Sequence, residues 1–199
     1  MNNNCNFCNL DNTKIYNTKI EETKNFYVLP ALGSLVDGYI LIITKKHYYN
    51  MLELNKDLKK EYLNLIQKYS NIFYKIYGKY PIVFEHGTAK NSTTESASSI
   101  IHAHTHIVNH NYINEQSILN KLNFKQISNF NNTRNEKNYI FYISPNNKIY
   151  ITYNFEPISQ LMRIFIAKDL GMEAKFNWRI EPFYENINST IKKINNNAN

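Results

Sequence analysis

Cysteine is scarce in this sequence: its 199 residues contain two, both in 5-CNFC-8. Two thiolates can begin a tetrahedral metal site but cannot complete one. Also missing is any apolar run approaching the roughly 20 residues that a membrane helix needs. The N-terminal MNNNCNFCNLDN lacks the basic-then-apolar layout of a secretory signal. These absences lead to the expectation of a cytoplasmic protein with no membrane partner. There is no internal repeat and no Pro/Ser-rich linker, and the length suits one well-cored domain better than two. Charge is not concentrated either. The formal charge of +7 and pI near 9.2 are compatible with phosphate-bearing partners. Lys45–Lys46, Lys59–Lys60 and Lys192–Lys193 are only pairs, however, and dispersed charge reads as a solvated surface that does not establish nucleic-acid binding.

What is present reads as alternating helix and strand signals. The β-branched run 39-YILIIT-44 is a buried strand after the turn residues Pro30, Gly33 and Gly38. In residues 55–78, Leu58, Tyr62, Leu65, Tyr69, Ile72 and Ile76 recur at three- and four-residue steps. That spacing predicts an amphipathic helix, with Asn55 as N-cap and Gly78 as its stop. A strand at 80–86 leads into the small-polar loop 87-GTAKNSTTESASS-99, a place where ligand contacts gather. Further on, the pattern predicts a short helix near 114–122 and strands near 124–128, 139–144 and 148–154. A final helix is expected over 158–170, ending at Gly171. The fold class is α+β, one antiparallel sheet with packed helices.

Half of the six histidines stand in 100-IIHAHTHIV-108. Alternate side chains of a strand share a face at about 7 Å spacing, so His102, His104 and His106 are expected to project together, away from Ala103, Thr105 and Ile107. Three such imidazoles could ligate a metal with an open position for water. Alternatively, one is a nucleophile and the others orient it and donate protons. The Asn-rich setting of 5-CNFC-8 does not suggest redox use. A zinc completed by two histidines fits better, His47 and one of the cluster being the obvious candidates.

Taken together, these residues resemble the histidine triad (HIT) family of nucleotide hydrolases and transferases. The segment 102-HAHTHIV-108 fits that family's His-φ-His-φ-His-φ-φ motif, with Thr105 at a φ position. Support comes from 5-CNFC-8, from 39-YILIITKKH-47 and from Ser99, three residues before the first histidine; the resemblance covers residues 5–110. A broader similarity, to HIT-like proteins with FEHG before the triad and Gln-x-x-Arg and Trp-Arg after it, takes in 84-FEHG-87, 160-QLMR-163 and 178-WR-179. The resemblance implies a HIT-like sheet of about five or more strands with a C-terminal strand and helix extension. It implies His104 as the nucleophile that attacks an α-phosphorus, with the His102 carbonyl fixing its ring. His106 would contact phosphate and assist the leaving group, and Ser99 would hydrogen-bond phosphate oxygens. It further implies a structural Zn2+ on Cys5, Cys8, His47 and His102, and no organic cofactor. Histidine at 106 favours hydrolysis over transfer.

Substrate-contacting candidates on the same basis are Glu85, Gly87, Ser98, Gln160, Arg163 and Arg179. Glu85 stands where many members carry Asn or Gln, and a carboxylate there would repel phosphate; ribose binding or loop organisation are its other readings. The acidic residue that often grips ribose is not evident, Asp37 being a poor substitute. His86 reads as a strand-end histidine and Trp178 as a core residue. The domain expectation is a single unit over 1–199: a zinc-binding segment (1–25), the core (26–110), an extension (111–185) and a flexible tail (186–199). Expected partners are a small nucleotide, a nucleic-acid 5′ end as a larger variant, and a second copy in a homodimer. Candidate leaving groups span dinucleoside polyphosphates, nucleotide-sugars, adenylates and phosphoramidates. A metal hydrolase using all three histidines as ligands, and a non-catalytic nucleotide- or RNA-binding module, remain as alternatives.

Overall fold

A computed structural model of the chain describes residues 5–90, 98–111, 113–130, 133 and 136–197. Part of the 87–99 loop and the termini therefore lie outside the described residues. In chain order the strands are β1 (Glu21–Glu22), β2 (Phe26–Pro30), β3 (Tyr39–Thr44), β4 (Ile82–Gly87), β5 (His104–Val108), β6 (Lys125–Ile127), β7 (Tyr139–Ile143) and β8 (Ile149–Thr152). The helices are α1 (Lys56–Tyr77), α2 (Glu115–Lys121), α3 (Leu161–Asp169) and α4 (Tyr184–Asn195). The strands form one sheet in the order β1-β2-β3-β5-β4-β7-β8-β6, with antiparallel neighbours throughout.

The α+β class expected from the sequence is the class observed. β3 lies inside the sheet and is covered on both faces, which is why YILIIT is apolar without alternation. Its Ile40 and Ile42 join Val83, Ala103, Ile107, Tyr139 and Phe141 in the core beneath α1. Its Tyr39, Leu41 and Ile43 join Phe84, Val108, Met162 and Ile166 in a second core beneath α2 and α3. The α1 boundaries follow the sequence: the Asn55 side chain accepts from Leu58 N, and the helix ends at Gly78.

Two expectations at the C-terminus are corrected. The helix that stops near Gly171 is not the last one. Residues assigned to a flexible tail form most of α4, whose Ile187, Thr190 and Ile194 are buried at helical spacing. This helix is pinned over the turn before β3: Thr190 Oγ1 accepts from Gly38 N at 2.8 Å, and Asn186 Nδ2 donates to Ser34 O at 2.7 Å. Asp37 belongs to the same contact, paired with Lys193 and accepting from Tyr77 at 3.1 Å, so it serves the fold and not a ribose.

Gly87 and Glu85 are corrected too. Both project toward the α1 side of the sheet, opposite the histidines. A Cβ on Gly87 would lie 2.1 Å from the Tyr139 ring, so the glycine is required by close packing. Gly87→Ala is expected to lower stability by about 1–3 kcal/mol, as overpacking does, read by urea unfolding; an unchanged midpoint would contradict this packing. Glu85 is buried and accepts from Tyr139 Oη at 2.5 Å and from Met51 N at 2.9 Å. It thereby ties β4 and β7 to the chain ahead of α1, which is the organising role open to it from the sequence.

Burial pushes the Glu85 carboxyl up to about 8, against those two hydrogen bonds, which favour the anion. Because the folded state holds this proton more tightly than the unfolded chain, the contribution is fully present below the ordinary carboxylate range. It is lost as pH rises toward 8, amounting to a few kcal/mol at most. The melting temperature of the parent, relative to Glu85→Gln, should therefore fall between pH 5 and pH 8; a constant difference would show that Glu85 does not hold the proton.

Candidate functional site

The cavity lies on the second face, over β3 and β5. It encloses about 260 Å³, near the small end of ligand pockets. His104 and His106 form its floor with Tyr39 and Leu41, and Ser99, Arg163 and Trp178 close one side. Register explains the grouping. Leu41 pairs with His106 and Ile43 with His104, and Phe84 pairs with His106 from the other side, so all of these side chains leave the same face. Phe84 stacks on His106, ring centroids 4.5 Å apart and planes 7° apart.

Strand geometry holds for two of the three histidines. β5 starts at His104, and His102, just before it, departs toward the cysteines. The His102 carbonyl accepts from His104 Nδ1 at 2.6 Å, leaving Nε2 as the nitrogen for the cavity. The rings of His104 and His106 stand 5.0 Å apart, and His106 Nδ1 lies 2.9 Å from Tyr39 Oη. Burial lowers the pKa of His104 and holds that of His106 well below its ordinary value, where positive forms of the neighbouring His104, His86 and Arg163 would also oppose its charging. Both imidazoles are therefore neutral at pH 7, the form in which a ring nitrogen keeps its lone pair.

His102 belongs to a second constellation. Cys5, Cys8, His47 and His102 each present one ligand atom, all within 4.8 Å of one another, and this is the one such group among the described residues. His102 Nδ1 is 3.4 Å from Cys5 Sγ and 3.6 Å from Cys8 Sγ, and His47 Nδ1 is 3.3 Å from Cys8 Sγ. A tetrahedron with bonds of ~2.0 Å to nitrogen and ~2.3 Å to sulfur has edges of about 3.5 Å, so the donors fit a metal ion. Behind the site, His102 Nε2 donates to the Thr44 carbonyl at 2.7 Å, which points the Nδ1 lone pair at the cysteines, as a ligand's outer contacts do.

The Cys/His cluster and the cavity share a wall. Phe7, between the two cysteines, packs edge-on to His102 at 5.7 Å and to His104 at 5.1 Å. Asn6, Phe7, Asn9, Asp11, Tyr16 and Asn17 all line the cavity. None of the six stood out as a site residue in the sequence. The single available signal was Phe7, lying between two candidate ligands.

The C-terminal candidates act together. Gln160 Oε1 accepts from Trp178 N at 3.2 Å, and its amide donates to Asn177 Oδ1 at 3.3 Å. Arg163 Nε donates to the Phe176 carbonyl at 2.9 Å. These bonds lay residues 176–178 against the cavity, where Trp178 Nε1 donates to Ser99 Oγ at 3.2 Å. Gly33 permits that approach: a Cβ there would meet the Trp178 Cβ at 2.4 Å. Trp178 is thus a cavity wall and not core, while Gln160 positions it from outside the lining. Arg163 lines the cavity at 5% exposure, and its Nη2 has no hydrogen-bond partner among the described residues. A buried, donor-only group of this kind suits an anion. Arg179 does not line the cavity; it is exposed and lies over the Trp178 ring at 4.5 Å. Ser98 turns back on its own loop, donating to Ile100 O at 2.6 Å. His86 sits beside Phe84, ring centroids 6.0 Å apart, on the face of the triad.

No helix among the described residues is long and apolar enough to cross a membrane. A comparison with curated proteins found no match. Among solved structures, a HIT-like protein involved in cell-cycle regulation from Bartonella henselae is similar at 19% identity, over 45% of this chain and 63% of that one, with a TM-score of 0.37. The chain thus spans less than two thirds of that relative's length. A hypothetical histidine triad nucleotide-binding protein from Sulfolobus tokodaii is similar at 23% identity over 52% and 67% of the two chains, TM-score 0.41. A HIT family protein from Bacillus anthracis is similar at 17% identity over 53% and 72%, TM-score 0.43. The family described as "Protein similar to CwfJ C-terminal" matches residues 1–108. That segment contains the cysteine pair, the YILIITKKH strand and all three histidines. With more than half of its length matched in this way, the chain belongs to the family of proteins similar to the CwfJ C-terminal region.

Proposed function

We propose that the protein cleaves a nucleoside 5′-phosphate from a leaving group through a nucleotidyl-histidine on His104. The observation that carries this reading is the 2.6 Å bond from His104 Nδ1 to the His102 carbonyl. It fixes the tautomer and gives Nε2 a lone pair aimed into a cavity that holds other donors. In the first half-reaction Nε2 forms a bond to the α-phosphorus as the bond from phosphorus to the leaving group breaks, at oxygen in an anhydride or ester and at nitrogen in a phosphoramidate. The ring keeps its Nδ1 proton and becomes cationic. In the second, water attacks phosphorus, the P–N bond breaks and one proton leaves to solvent. Arg163, His106 and Ser99 are the groups that stabilise the equatorial oxygens, supplying in a dry site the donors that phosphoryl transfer needs.

Zinc is the metal we assign to the Cys5, Cys8, His47 and His102 cluster, because two thiolates and two imidazoles are a structural zinc set. The ion would hold the N-terminal segment in place and take no part in the reaction. A metal hydrolase using all three histidines is disfavoured, since His102 serves the cysteines while His104 and His106 serve the cavity. Incubation with dinucleoside polyphosphates, nucleotide-sugars, adenylates and phosphoramidates, read as release of nucleoside monophosphate, tests the reading. Binding of nucleoside monophosphate without release from any substrate would instead identify a non-catalytic binding module.

A further inference from the structure

The reaction outlined above needs His104 and His106 to present opposite faces of the same chemistry: a lone pair from one and a hydrogen from the other. For His104 the backbone settles this. For His106 the deciding group is Tyr39, the first residue of 39-YILIITKKH-47 and outside the triad motif itself. Tyr39 is fully buried, on a strand that pairs directly with β5. Its Oη is 2.9 Å from His106 Nδ1, and the rings meet at 62° with centroids 5.7 Å apart.

The direction of that hydrogen bond follows from what else touches the phenol. Arg163 stands against the same ring, its guanidinium carbon 5.8 Å from the centroid, and a guanidinium offers donors and no acceptor. A buried phenol must place its one hydrogen on an acceptor, and His106 Nδ1 is its one hydrogen-bonded acceptor among the described residues. Tyr39 therefore donates to Nδ1, and a neutral imidazole that accepts at Nδ1 carries its hydrogen at Nε2. Phe84, stacked flat on the ring at 4.5 Å, blocks rotation out of this arrangement.

We propose that Tyr39, braced by Arg163, is the positioning residue that holds His106 in the Nε2–H tautomer, opposite to the Nδ1–H tautomer of His104. The two histidines then differ in function because they have different partners at Nδ1, a phenol O–H for one and a carbonyl for the other. His106 acts as a neutral donor to a phosphate or bridging oxygen, held ready before substrate arrives. Arg163 takes on a second task beyond any direct contact with anion, acting through Tyr39. This inference rests on the reading of His104 as nucleophile for its catalytic meaning, but the tautomers themselves are observable without turnover.

The test is 15N NMR of imidazole nitrogens in the metal-loaded protein, with His106→Gln and His104→Gln used for assignment. His106 is expected to show hydrogen on Nε2 and a bare Nδ1, and His104 the reverse; hydrogen on Nδ1 of His106 overturns the proposal. In Tyr39→Phe, which removes one oxygen, the His106 signals should move toward the other tautomer. On a substrate found in the panel above, that variant should lose about tenfold in kcat, the value of one hydrogen bond, with KM changed less than twofold. Unchanged kcat, or an equal loss through KM alone, also overturns it. If no substrate is turned over, the function fails while the tautomer assignment is still decided by the spectrum of the parent protein.

Discussion

His104→Ala is expected to lower kcat by about 10⁴-fold or more on any substrate the protein turns over, with substrate binding weakened far less. The size follows from the role. Removing a nucleophile abolishes the covalent route and leaves the catalysis that binding and donors supply to water alone. The neighbouring imidazole cannot replace it: His106 is committed at Nδ1 to Tyr39 and stacked on Phe84, so its ring cannot swing into the vacated place. The measurement is steady-state kinetics beside nucleotide binding by fluorescence of Trp178, the only tryptophan of the chain, which lines the cavity. The metal content of the variant is checked at the same time, because His102 is two residues away. Turnover within tenfold of the parent would remove His104 from the mechanism.

Cys5→Ser combined with Cys8→Ser is expected to abolish metal binding and to lower the melting temperature by about 10 °C. The four ligands come from three distant places: the N-terminus, the chain after β3 and the chain before β5. The Cys8–His47 contact spans 39 residues and the Cys5–His102 contact 97. Holding such long loops closed is where a crosslink gains most, about 3–5 kcal/mol by the arithmetic used for disulfides. In a chain of this length each kcal/mol moves the midpoint by about 2–4 °C. The variant should also lose nucleotide affinity, since Asn6, Phe7 and Asn9 line the cavity and hang on the same cysteines. Elemental analysis and thermal unfolding, each with and without chelator, make the check. A chelator that shifts the parent and leaves the double variant unmoved is the expected pattern; one metal retained by the variant would place the site elsewhere.

How far the sequence reached depended on the range of the interactions involved. Local rules found α1 with its Asn55 cap and the strand at 39–44, and alternation placed His104 and His106 on one face. Each of these is written within a few neighbouring residues. Donor chemistry brought Cys5, Cys8, His47 and one cluster histidine together as candidate metal ligands, and the family resemblance singled out His102 among the three. What escaped depends on which strand lies beside which. Tyr39 becomes a partner of His106 only through the β3–β5 register, and Glu85 moves from the site to the opposite face because Phe84 holds the position beside His106. The Asn-rich end disguised α4, whose Thr190 is received by Gly38 of the turn before β3 and whose Ile194 joins the core beneath α1. Trp178 could not be assigned until Gln160 and Arg163 were seen to carry its segment onto the cavity.

The central claim is the covalent intermediate, and the most direct measurement of it is to trap one. Protein mixed with a substrate labelled at the α-phosphate, quenched in alkali within the first turnovers and digested, should yield label on the peptide containing His104 and none in His104→Ala. Product formed at the full rate, with that peptide unlabelled at every quench time, would contradict the account.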